Sequence, residues 1–264
     1  MLQRLAPYSG VALMGATVLR LVRSWWGVLY FGLLALVMAL SPSTHTRARR
    51  TATAHLMYHT TWQVLPWFTL LSALISLVLI RIVVVTALSY GLSQYALDLM
   101  VRVLVLELIP LSAALFVVLR AALGAAGGDP VPPAPVAGGT RWHAVDAALL
   151  RDAVVPRVIA TAFSVFTLAA VSGVVALVLA YLNVYGLSPW GFSSYTRMVG
   201  RVFEPAVSLG FVLKIVLFGL AVAVIPIASA LQARSEPAAP PNGTVRLFVV
   251  LVLIEGASLA LKYV

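Results

Sequence analysis

Leu106-Glu107-Leu108-Ile109-Pro110 sets an acid three residues ahead of a proline, inside one of several long apolar runs. A charge near the centre of a bilayer costs about 2.5 to 3.5 kcal/mol on insertion scales, so such residues face protein or a polar cavity. Pro110 adds a second effect. Without an N–H it strands a carbonyl one turn earlier, and it can kink the helix. Glu107 and Pro110 together therefore read as candidates for a cavity wall.

The rest of the chain has the composition that this reading needs. Of 264 residues, 62% are hydrophobic and 10% charged, and the mean hydropathy is +1.03. A soluble domain of that composition would expose large apolar patches. The expected class is an all-α polytopic membrane protein. Arginine supplies 16 of the 18 basic residues behind the net charge of +10, an excess that belongs in cytoplasmic loops facing anionic headgroups. Nucleic acid is not expected as a partner. The chain has no cysteine, which excludes disulfides and thiolate metal sites. No cleavable signal is expected at the N-terminus, because the first strongly apolar stretch starts late.

Five apolar stretches come near the ~20 residues that cross a hydrocarbon core. They run from about Leu65 to Leu88, Met100 to Leu123, Ala153 to Tyr181, Val202 to Leu231 and Leu247 to Val264. A shorter one, Trp25 to Leu40, has arginines on both sides and reads as an interfacial or re-entrant helix. With Arg47, Arg49 and Arg50 inside, the segment from Asp129 to Asp152 and the loop from Arg234 to Arg246 are cytoplasmic. The loop from Tyr185 to Met198 and the C-terminus lie outside. Arg197 and Arg201 on the outer side run against this bias. Residues 1–64 form an N-terminal cytoplasmic or interfacial region with an amphipathic helix, and residues 65–264 the transmembrane domain.

Two stretches rich in Pro, Gly and Ala, Gly127 to Pro135 and Ser235 to Gly243, read as cytoplasmic connections. Between the second and the third span, Trp142, Val145 and Leu149 share one apolar helical face with His143 and Asp146 beside it. Such a helix fits a membrane surface or a groove on a partner. Within the spans, Lys214 and Glu255 can pair between the fourth and fifth, either as a packing ion pair or with a role in transport. Arg81 can reach the headgroups by snorkelling. Enzyme chemistry finds little support. His55 and His59 are four residues apart but have no acidic third ligand nearby, and no hydrolase or zinc-site motif is present. The phosphate loop of a nucleotide-binding subunit is also missing, so no metal or cofactor is expected on this chain.

From about Leu56 onward the chain resembles the MlaE/YrbE permeases, membrane subunits of ABC transporters that move phospholipids with MCE-domain partners. In that family a segment of the type Arg-Glu-Leu-Gly-Pro precedes a helix ending in Ala-Glu-Leu-Gly. The similar residues here are Leu106 to Pro110 and Ala121-Ala122-Leu123-Gly124. A short cytoplasmic helix and Val-Val-Pro-Arg follow in the family, matched by His143 to Leu149 and by Val154-Val155-Pro156-Arg157. Tyr185-Gly186-Leu187-Ser188-Pro189, Lys214 with Phe218-Gly219, and Glu255 extend the resemblance. The chain departs from it at Leu106, Ile109 and Ala122, which stand where the family has Arg, Gly and an acid.

The resemblance implies a homodimeric permease of the bacterial inner membrane, working with a separate cytoplasmic ATPase that uses the ATP and with a periplasmic MCE-domain protein. On that reading Glu107 and Pro110 line a lipid cavity. Trp142, Val145, Asp146 and Leu149 form a helix coupling to the ATPase, within a cytoplasmic segment at about 124–152. A noncatalytic scaffold of such a complex and a secondary transporter are the alternative functions.

Overall fold

A computed structural model describes residues 25–39, 41, 47–126, 154–235 and 243–263. All regular structure among them is helical. Helix α1 covers Trp25–Ala39, α2 Arg47–Trp62, α3 Leu65–Ser89 and α4 Ser93–Met100. A π-helical stretch, Val101–Leu108, joins α4 to α5 at Ile109–Ala126. Then follow α6 at Val155–Tyr185, the short connecting helix α7 at Phe192–Val202, α8 at Pro205–Ser235 and α9 at Gly243–Tyr263. Among the described residues, five stretches are long and apolar enough to cross a membrane.

Local sequence explains the helix ends. Prolines stand in the first turns of α3 and α6, where a missing N–H breaks no intrahelical bond. At the far end of α6 the chain leaves through Gly186, whose φ of +64° strains any residue with a Cβ. The second crossing starts earlier than hydropathy indicates. Residues from Ser93 are too polar to register as a span, but Asp98 and Arg102 pair one turn apart at 2.9 Å and support the helix there. Conversely the fourth crossing starts at Pro205 rather than at Val202, which ends α7. Helix α1 is about 22 Å long at 1.5 Å per residue, short of a ~30 Å hydrocarbon core. It buries Val28, Phe31 and Ala35 and exposes Trp26, Leu29 and Leu33.

The core is organised around α6. Helices α2, α3, α5 and α8 all pack against it, and α9 packs on α8. Small side chains make this possible: Ala160, Ser164, Ala169, Ser172, Gly173, Ala176 and Ala180 are all buried along α6. Gly219 marks the closest crossing, since a Cβ there would lie 2.7 Å from Ala162 Cα. In a bilayer, where apolar side chains gain little by leaving lipid, such close packing holds helices together. The outward faces are apolar instead, as in Leu70, Leu74, Ile82 and Val85 of α3 and Phe248, Val252 and Leu253 of α9.

Candidate functional site

Pro110 shapes the centre of the site. In an α-helix its ring would clash with the carbonyl of residue 106 and leave that oxygen without a donor. Here the helix widens before it: Val101–Leu108 is π-helical, and the Ile109 N–H donates to the Leu104 oxygen five residues back. Wide turns of this kind are rare and concentrate at functional sites. Glu107 sits in the last turn of this widened stretch, with its side chain largely covered.

Two lysines are present in the whole sequence, and both reach Glu107. Lys214 Nζ from α8 donates to Glu107 Oε2, and Lys262 Nζ from the last turn of α9 donates to Oε1. Lys214 also lies 2.7 Å from Glu255 Oε2, a close ionic contact whose angles are not those of a hydrogen bond. Its third neighbour is the Leu106 carbonyl, 3.2 Å away. Below it Phe218 presents its ring at 5.7 Å. The formal charges of the four side chains cancel, which is what an apolar setting requires of buried ions.

Away from this cluster, an aromatic group ties α7 to the bundle. Tyr195 of α7 donates to the Leu177 carbonyl of α6 at 2.7 Å. Tyr181 and Tyr185 pack against its ring at centroid distances of 5.3 and 6.3 Å, and Phe192 meets Tyr181 edge-on at 5.9 Å. Burial, with Tyr185 alongside, pushes the Tyr195 hydroxyl up to about 12. Arg120 donates to the Thr60 carbonyl at 2.9 Å and to Gln63 Oε1 at 3.2 Å, bracing the end of α2.

Family comparison now adds to this geometry. The model of the MlaE permease family matches residues 53–127 and 142–260, most of the chain, passing over the Pro/Gly-rich stretch between them. The chain belongs to the MlaE permease family. Comparison with curated proteins finds no match. As an MlaE permease it is a multi-pass membrane protein and the membrane subunit of a lipid ABC transporter.

Of the residues singled out in the sequence, the MlaE permease structure brings Glu107, Pro110, Lys214 and Glu255 into one place. Arg81 stays apart, exposed on α3 beside Val78, Ile82 and Val85. Trp142, Val145, Asp146 and Leu149 lie outside the described residues. Lys262 was not among the residues expected at the site. Its position at the very end of an apolar run looks like an ordinary interfacial lysine, and only the fold aims it at Glu107.

Proposed function

We propose that this permease works as a homodimer, with a cytoplasmic ATPase and a periplasmic MCE-domain protein, to move phospholipids or related diacyl lipids at the bacterial inner membrane. The observation that carries the reading is the charge-balanced cluster of Glu107, Lys214, Glu255 and Lys262, set among apolar helices next to a proline-widened turn. A diacyl lipid leaving the bilayer exposes its tails to water at about 0.8 kcal/mol per methylene, on the order of 20 kcal/mol for two tails. An apolar route shelters the tails. Polar groups at one depth, such as Glu107, give the headgroup a place to pause.

ATP would be bound and hydrolysed by the partner subunit. Its motion would reach the membrane through the segment containing Trp142, Val145, Asp146 and Leu149, and would open or collapse the cavity. Reconstitution tests this directly. The permease, ATPase and MCE-domain protein in vesicles should pass fluorescent phospholipid between membrane and MCE protein only with ATP, and an ATPase unable to hydrolyse should stop it. Equal transfer with the inactive ATPase would favour a scaffold or a secondary transporter instead.

A further inference from the structure

Lys214 and Lys262 differ in what they have left to offer. An ammonium carries three N–H donors and accepts nothing. Lys214, with its side chain 1% exposed, has three oxygens around it: Glu107 Oε2, Glu255 Oε2 and the Leu106 carbonyl. It is saturated. Lys262 is 20% exposed at its side chain and meets Glu107 Oε1, with no further protein acceptor among the described residues. It stands in the last turn of α9, at the end of an apolar span and on a flexible stem.

We propose that Lys262 and Glu107 together form a headgroup site for a zwitterionic phospholipid carrying a phosphate and a primary ammonium. The proposal rests on the lipid-transport reading above and names the chemistry of the lipid. When the Lys262–Glu107 contact opens, the lipid phosphate takes the Lys262 ammonium and the lipid ammonium takes Glu107 Oε1. One ion pair becomes two, and each charge keeps an opposite partner. Glu107 Oε2 stays on Lys214 throughout, so the carboxylate is never stripped of a counter-ion while buried. An anionic headgroup without an ammonium would satisfy Lys262 but leave Glu107 Oε1 without a cation and the site with a net negative charge. In a low-dielectric setting that imbalance is penalised. A neutral diacylglycerol would not separate Lys262 from Glu107.

The test uses the complete transporter in vesicles holding equal amounts of a phosphoethanolamine lipid, a phosphoglycerol lipid and a diacylglycerol with the same tails. The lipids retained on purification are then quantified. Wild type should hold the phosphoethanolamine lipid about tenfold over the phosphoglycerol lipid, the scale of one charge-assisted hydrogen bond. Lys262→Gln should abolish that preference, Lys262→Arg should keep it, and both should retain diacylglycerol as wild type does. Equal retention of the two phospholipids by wild type overturns the headgroup site while leaving lipid transport standing. Retention of no lipid by wild type sinks the transport reading and the site with it. A loss of all three lipids in Lys262→Gln makes the lysine a packing residue and overturns the proposal. Soluble phosphoethanolamine in excess should not displace the lipid. Displacement would assign the site to a free headgroup compound instead.

Discussion

Lys214 donates from Nζ to the carbonyl oxygen of Leu106, 3.2 Å away, the acceptor that Pro110 would strand in a regular helix. The proline thus creates a vacant carbonyl and the lysine of another helix fills it. Because the same ammonium also holds Glu107 and Glu255, a backbone irregularity and a charge cluster share one buried donor. Loss of Lys214 would leave two carboxylates and a carbonyl without it. Lys214→Met should therefore cost about 3 to 5 kcal/mol, the penalty for breaking a buried pair from one side, and lower the yield of folded protein in detergent. Normal yield and melting temperature would show that water or lipid replaces the lysine.

Glu107→Gln keeps the volume and hydrogen-bonding capacity and removes the charge. Lys214 retains Glu255 and the Leu106 carbonyl, so folding should survive. Lipid crosslinking at neighbouring positions and lipid-stimulated ATP turnover should fall. A variant that folds poorly yet transports normally per folded molecule would make Glu107 a structural acid.

Pro110→Ala returns an N–H to the backbone, which can bond the Leu106 carbonyl and let the π-helical stretch relax toward an α-helix. That relaxation rotates Glu107 relative to both lysines. Stability should be unchanged or higher, since proline inside a helix costs about 3 kcal/mol relative to alanine, while lipid transfer falls. Full transfer activity in a folded variant would show that the widened turn is dispensable.

Gly219 and Gly210 lie on the same helix and should respond oppositely to alanine. A Cβ at 219 would meet Ala162 Cα at 2.7 Å and Cβ at 2.9 Å, whereas at 210 nothing lies within 4 Å. Gly219→Ala must push α8 off α6 and should cost about 1 to 3 kcal/mol. Gly210→Ala should be neutral or stabilising by up to about 1 kcal/mol. Equal thermal stability of the two variants would contradict the close crossing.

Replacing Val145 and Leu149 by aspartate puts charge on the face expected to meet the ATPase. Association of the ATPase should drop while the permease stays folded. Undiminished co-purification would favour a helix lying on the membrane.

Membrane class and the approximate spans were legible in the sequence because long apolar runs have one use in a chain this hydrophobic, and the family could be named from Glu107, Pro110, Pro156 and Glu255 in order. The beginnings of the second and fourth crossings were less clear. Ser93 to Met100 is more polar than the run that follows it but continues the same helical stretch, and Val202 belongs to a separate short helix.

What the sequence by itself determined is that charges occur inside the spans and that Pro110 must disturb one of them. Only the tertiary structure decided which charges meet. Lys214 and Lys262 lie 107 and 155 residues from Glu107 along the chain. Helices α8 and α9 are apolar on every side, so no stripe in their sequences says which face turns inward. Packing of small residues, as at Gly219 against Ala162, sets that rotation. Once it is set, the two lysines of the chain have Glu107 as a common partner.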